Sequence, residues 1–180
     1  LVEHRMARLQ FNSLKSMIDP HFTFNALNSI ASMVYSQNKD IAYSYFTKLS
    51  RLIRNVFEHS DNAARTLEEE LAFVADYLDI EKMRFGEKFD YSIVIDPAVD
   101  LLIQIPKLLI QIYTENAVKH GLTLLESGGK VEIRVSDMHP DLLISITDNG
   151  IGRMGLINVK SSGLGRSTSI FGEYFELLSK

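Results

Sequence analysis

Three clusters of residues in this chain have types and spacings suited to chemistry. In the stretch IDPHFTFNALNSI, His21, Asn25 and Asn28 recur at i, i+4 and i+7, which places them on one stripe of a helix. An imidazole beside two amides can have one ring nitrogen held by a hydrogen bond while the other is presented to a reactant. Taken alone, the same pattern also describes a capped, half-exposed helix with an incidental histidine. The second cluster is TENAVKHG, where Asn116, Lys119 and His120 occupy the last turns of a helix before Gly121. An amide oxygen is a hard donor suited to Mg²⁺, while an ammonium and an imidazole can meet phosphate oxygens. The third is DNGIG, with a carboxylate, Asp148, at a strand end and Gly150 and Gly152 where a ligand must approach the backbone closely. Asp-Asn-Gly is also a common turn. Followed by SGLG, with Gly163 and Gly165, and preceded by the asparagine cluster, it points instead to a binding site.

Bulk properties narrow what that site serves. The chain has 180 residues, 46% of them hydrophobic, enough for a real core in one domain or two small ones. The net charge is −4 and no stretch gathers Lys and Arg on one face, which argues against a nucleic-acid footprint. Without cysteine, disulfides and thiolate metal sites are excluded, and a reducing cytoplasm is the default compartment. The most apolar window, LLIQIPKLLIQIY, is interrupted by Gln104, Pro106, Lys107 and Gln111, so it reads as core and not as a membrane span. The sequence begins at Leu1 inside a helical pattern and reads as a piece of something longer.

The elements that must position these clusters fall into a helical half and a mixed half. A first helix is expected over about residues 2–36, with Asp19-Pro20 either kinking or restarting it. Its apolar stripe, Phe24, Leu27, Ala31 and Val34, suits a bundle core. A second helix, about residues 40–59, sets Ala42, Tyr45, Phe46, Leu49, Leu52, Ile53 and Val56 on one face, and the short connection predicts an antiparallel hairpin. DNAART reads as a loop. Thr66-x-x-Glu69 has the form of a capping box opening a third helix, with Leu67, Leu71, Val74 and Leu78 inward and Gly86 at its end. From residue 89 the period becomes two: FDYSIVI and KVEIRVS alternate, LLISIT is a shorter strand, and DMHPD is a hairpin turn. Between the first two strands lies a helix opened by Pro106 and closed by Gly121. The fold class expected is α+β, a helical hairpin joined to an α/β sandwich.

DPHFTFNALNSI, LEEELAFVADYLDIEKMRFGEKF, IPKLLIQIYTENAVKHG and DNGIG together resemble the LytS/YehU-type sensor histidine kinases, over roughly residues 10–175. That resemblance implies a dimerising hairpin and histidine phosphotransfer region at residues 1–64. It implies a Bergerat (GHKL) ATP-binding domain at 65–180, whose last strands are missing before Lys180. It implies ATP and Mg²⁺ as cofactors, with His21 as phosphoacceptor and Asn116 as the Mg²⁺ ligand. Lys119 and His120 would be phosphate contacts, Asp148 the acceptor for the adenine amino group, Gly150 and Gly152 would flank the base, and Gly163 and Gly165 would belong to the ATP lid. It further implies a homodimer, a response regulator as partner, no nucleic acid, and a cytoplasmic region anchored in a bacterial inner membrane only through a segment before Leu1.

The residues bear on that implication. Neutral imidazole has a nucleophilic lone pair near pH 7, and Asn25, accepting from Nδ1–H, would leave Nε2 free to attack. The position after the phosphoacceptor, where many histidine kinases carry an acid, is Phe22, so the general base is unassigned. Four residues before Asn116, where relatives that hydrolyse ATP carry a glutamate, stands Ile112, which favours transfer to a side chain over hydrolysis. The rival functions are a degenerate kinase that signals by binding nucleotide or partners, and a gyrase-type ATP-driven clamp.

Overall fold

The structure is a computed structural model and describes residues 20–57, 64–122, 128–139 and 141–150. Helix α1 runs Pro20–Tyr35 and α2 Lys39–Phe57. Proline suits the first position because its missing N–H would have no helical partner there. The part of the expected first helix before Pro20 lies outside the described residues. The turn between α1 and α2 is a Schellman motif. Gln37 takes φ 64°, its N–H donates to the Val34 carbonyl, and Asn38 N–H donates to that of Met33. The two helices pack as the expected hairpin.

Strand β1, Ala64–Thr66, leads straight into α3, Leu67–Phe85. Both halves of the capping box form: Thr66 Oγ1 accepts from Glu69 N–H at 3.2 Å, and the Glu69 carboxylate accepts from Thr66 N–H at 3.0 Å. Gly86, at φ 62°, ends the helix, and a 3₁₀ turn, Gly86–Lys88, delivers the chain into β2, Phe89–Ile95. Strand β3 is Gln104–Pro106, helix α4 Leu109–Asn116, then a π-helical stretch Ala117–Leu122, β4 Gly129–Met138 and β5 Asp141–Asp148.

The sheet is mixed, in order β2-β4-β5. β2 pairs parallel with β4 from Phe89↔Gly129 to Ile95↔Val135, and β5 folds back antiparallel from Met138↔Asp141. The parallel pair requires a crossover, which β3 and α4 supply. Val131, Ile133 and Val135 point every second side chain of β4 into the core and are fully buried, while Lys130 and Arg134 stay outside. Helix α3 packs on β2, on α4 and on both hairpin helices. It is therefore buried on more than the single stripe expected, with Phe73, Asp76, Tyr77, Ile80 and Glu81 inside as well as Leu67, Leu71, Val74 and Leu78. The α+β class and the helical hairpin are observed.

Two expectations are corrected. Ala64-Arg65-Thr66 is a strand and not loop, because it pairs antiparallel with β3 far along the chain. Pro106 closes β3 and does not open the helix: Leu108, at φ 63°, makes the turn, and α4 begins at Leu109. The α1 stripe of Phe24, Leu27, Ala31 and Val34, expected to suit a bundle core, is exposed in this single chain, with Phe24 at 64%. The buried positions are Ala26 and Ile30, since the face toward α2 and α3 is the one this chain can cover. On α2 the expected face splits likewise: Ala42, Leu49 and Leu52 are buried, and Phe46 and Ile53 are exposed. The expected lid, and any strand following β5, fall at residues 151–180, outside the described residues.

Candidate functional site

Helix α4 and its π-helical continuation carry Asn116 and Lys119, and they pack on β5, at whose end stands Asp148. The second and third sequence clusters are thus brought to one side of the sheet. Asn116 is the last α-helical residue and is half-buried; Lys119 is exposed at its chain and pairs with Glu115 one turn back. A π-helical turn seldom forms without a reason beyond helix propensity, and such turns gather at functional sites. His120 lies in this turn, with its side chain outside the described set.

Asp148 is exposed at the end of β5, and its Oδ1 accepts from Gly150 N–H at 2.9 Å, closing an Asx turn. Asn149 ties that turn to the sheet. Its Oδ1 accepts from Lys130 N–H at 2.6 Å and its Nδ2 donates to the Gly128 carbonyl at 2.7 Å, so the end of β5 is fixed to the start of β4. Gly152, Gly163 and Gly165 lie outside the described residues.

What holds α4 is a residue that the sequence reading passed over. Leu108 offers no side-chain cap, so the first N–H groups of the helix need another acceptor. Glu70, fully buried on α3, supplies it: its carboxylate accepts from Leu108 and Ile110 N–H at 3.0 Å and from Gln111 N–H at 3.3 Å. A carboxylate at a helix N-terminus also meets the positive end of the helix dipole. Its charge is balanced by Arg65, an ion pair buried on both sides, and the Arg65 guanidinium stacks 4.5 Å over the Phe73 ring. A signal for Glu70 exists in the sequence. It falls three residues after Leu67, on the same stripe as Leu71, Val74 and Leu78, and a charge on a core stripe implies a buried partner.

A second polar cluster lies between α3 and α4, beside Asn116. Burial raises the Glu81 carboxyl above its ordinary pKa, with the charges of Arg84 and Lys119 acting against that shift. Burial likewise raises the Tyr77 hydroxyl well above its usual range, and the negative charges of Glu81 and Glu115 add to it. Arg84 forms an ion pair with Glu81 at 2.5 Å. Tyr77, Glu81, Arg84, Glu115 and Lys119 thus share one field.

The hairpin seats on α3. Arg51 donates to both oxygens of the buried Asp76, at 2.5 and 2.7 Å, and Lys48 pairs with Asp79, which also accepts from the Tyr91 hydroxyl at 2.6 Å. Phe22 lies against Tyr77 with ring centroids 5.7 Å apart. His21 is the second residue of α1, and its side chain is outside the described set; Asn25, one turn on, is half-buried and Asn28 exposed. The hairpin that carries the first cluster is thus joined to α3, the helix on which α4 also packs.

Residues 9–89 match the model of a family described as histidine kinase, a stretch that holds His21, the hairpin and α3. A sensor histidine kinase of Escherichia coli, YpdA, is 37% identical over 145 residues, 81% of this chain and 25% of its own length. The sensor protein LytS of Staphylococcus saprophyticus is 31% identical over 143 residues, 79% of this chain and 24% of its own. The sensor histidine kinase/phosphatase LytS of Staphylococcus aureus is 34% identical over 145 residues, with the same shares of 79% and 24%. This chain belongs to the LytS-type sensor histidine kinases. The matched lengths exceed the stretch from 9 to 89, so the likeness to these kinases continues into the half that bears α4 and the sheet. The chain spans about a quarter of the length of these relatives. Among the described residues no helix is long and apolar enough to cross a membrane.

Proposed function

We propose that this chain is the kinase region of a two-component sensor, which binds Mg-ATP in its α/β half and transfers the γ-phosphoryl group to His21. The observation that carries the reading is the packing of α4, with Asn116 and Lys119, against β5, which ends at Asp148. It brings residues suited to metal, phosphate and base together from distant parts of the sequence, in a chain whose family match includes a histidine on a separate helix. On this reading residues 65–180 form a Bergerat (GHKL) domain and residues 1–64 the phosphotransfer region.

The donor chemistry fits Mg²⁺. That ion is commonly held by one or two protein oxygens together with substrate phosphates. Among the described residues no group of three or more His, Cys, Asp or Glu side chains could hold a metal alone, and the Asn116 amide offers the single hard oxygen such a shared site needs. The ion would supply charge neutralisation at the phosphates. Lys119 and His120 would orient phosphate oxygens, and Asp148 would accept from the adenine amino group beside Gly150 and Gly152, with Gly163 and Gly165 in the lid.

His21 Nε2 would form the new N–P bond as the bond from the γ-phosphorus to the bridging oxygen breaks and ADP leaves. Asn25, accepting from Nδ1–H, would keep the attacking lone pair on Nε2. Phosphoryl transfer asks mainly for in-line positioning and neutralised charge, so a site built of oriented helix ends is enough. The phosphoimidazole is then a reactive donor to an aspartate of a response regulator. The exposed apolar face of the hairpin, Phe24, Leu27, Val34, Phe46 and Ile53, is the surface a homodimeric four-helix bundle would cover. Anchoring at an inner membrane would come from a part of the protein preceding this stretch.

Incubation with γ-labelled ATP tests the reading. Wild-type chain should take up acid-labile label; His21→Ala should take up none while binding ATP with nearly unchanged affinity. Asn116→Ala should lose the Mg²⁺ dependence of ATP binding, and Asp148→Asn should lose selection for adenine. Label that persists in His21→Ala would remove His21 as acceptor.

A further inference from the structure

Tyr77 is buried to 3% exposure and has two distinct sides. One side of its ring meets Phe22, the residue directly after His21, at 5.7 Å with the planes tilted by 30°. One turn on along α3 lies the buried Glu81, which is paired with Arg84. Glu115 precedes Asn116 and is itself paired with Lys119. Tyr77 therefore ties the helix start that bears His21 to α3, the helix on which α4 packs and whose Glu70 caps α4. Aromatic pairs at this separation have preferred geometries, so the contact fixes orientation as well as distance. The seat is reinforced one and two positions along α3 from Tyr77, where Asp76 takes Arg51 and Asp79 takes Lys48.

Tyr77 belongs to the buried core of α3. Phe22 in turn stands where an apolar residue gains little from α1 itself, since the exposed stripe of that helix runs along Phe24, Leu27 and Val34. Its partner is on α3.

We propose that Tyr77 is a positioning residue, which through the Phe22 ring sets the His21 end of α1 on α3, the helix against which the element carrying Asn116 and Lys119 packs. This rests on the reading of His21 as phosphoacceptor and extends it to how acceptor and donor are registered. Tyr77 touches neither ATP nor the acceptor nitrogen; it acts through Phe22 and the packing of α3 on α4. Misplacement of about 1 Å at a reacting pair costs up to roughly a hundredfold in rate, so loss of the seat should appear in the transfer step and not in nucleotide binding.

The test measures the initial rate of label uptake at saturating Mg-ATP alongside the ATP dissociation constant. Phe22→Ala removes the ring contact from the half-buried side and leaves the α3 core filled. It should lower the rate by about tenfold or more, with ATP affinity within about twofold of wild type. Phe22→Tyr keeps a ring at the same place and should recover most of the rate. Tyr77→Phe keeps the ring against Phe22 and should stay close to the wild-type rate. A wild-type rate in Phe22→Ala overturns the proposal. So does a parallel fall of rate, ATP affinity and melting temperature, which would make the contact merely structural, and so does a Phe22→Tyr variant as slow as Phe22→Ala. His21→Ala in the same series separates the two ideas: label surviving there sinks the phosphoacceptor reading, whereas its loss there with normal rates in the Phe22 variants sinks only the seat.

Discussion

Replacing Glu70 by alanine should be among the most damaging single changes in the α/β half. The side chain is fully buried, accepts three backbone N–H groups at the start of α4 and balances the buried Arg65. Its removal leaves a cation without a counter-ion and a helix N-terminus without an acceptor, in a place water does not reach. Breaking a buried ion pair from one side costs about 3–5 kcal/mol, because the partner charge stays buried. A lost helix cap by itself costs about 0.5–2 kcal/mol. The two overlap, since the same oxygens do both jobs, so the expected loss is about 3–5 kcal/mol and not their sum. For a chain of this size that lowers the melting temperature by roughly 6–20 °C.

Glu70→Gln keeps an acceptor oxygen for α4 but not the charge, and should lie between wild type and alanine. Arg65→Met together with Glu70→Gln should recover part of the loss, because no unpaired charge remains. Denaturant unfolding followed by circular dichroism measures the stabilities, and calorimetric titration with Mg-ATP reads the effect on the Asn116 helix. A Glu70→Ala variant within about 1 kcal/mol of wild type would refute the assignment of Glu70 as the anchor of α4.

Arg51→Ala should cost about 1 kcal/mol in low salt, since its bidentate partner Asp76 is buried while Arg51 itself is 58% exposed, and the loss should shrink in high salt; unfolding curves that are the same for both proteins in low salt would refute it. Burial raises the Glu81 carboxyl, so its protonated form is favoured by folding. The stability it contributes is complete below the ordinary value of 4.5 and is lost as pH rises through the raised one. Glu81→Gln should therefore gain stability relative to wild type as pH rises above 4.5, and melting curves whose difference stays constant with pH would contradict this. Gly86→Ala should cost at least about 1 kcal/mol through backbone strain alone, because φ is 62° and a Cβ would meet nothing within 4 Å; a neutral Tm would show that the turn relaxes freely.

The local signals in this chain were legible. Thr66 and Glu69 announce the start of α3 and form both capping bonds, Gly86 stops it, and the alternation of FDYSIVI matches β2 residue for residue. What was hidden is non-local. β1 is three residues long, too short to show a period, and exists because Gln104–Pro106 pairs with it. The same pairing takes Pro106 out of the helix it seemed to open, for a proline at the end of a strand is as well placed as one at the start of a helix. The α1 stripe is plainly apolar, but periodicity cannot say whether the surface that covers it belongs to the same chain.

The chemical clusters and the residues that hold them obey different rules, which is why only the first kind stood out. His21, Asn116, Lys119 and Asp148 sit at or near the ends of elements, in stretches with polar residues, glycines or prolines that mark them. Glu70, Asp76, Tyr77 and Glu81 sit in the middle of one long helix, where they look like ordinary interruptions of an apolar pattern. Their meaning comes from what each faces: the start of α4 for Glu70, α2 for Asp76, Phe22 of α1 for Tyr77, and Arg84 for Glu81. Burying a charge or a hydroxyl without a partner costs several kcal/mol, on the order of 2–7 for a neutral group and more for an ion. A helix carrying four such groups can be stable only where neighbours on several sides answer them. That requirement makes α3 the element on which the hairpin, the sheet and the Asn116 helix are all registered.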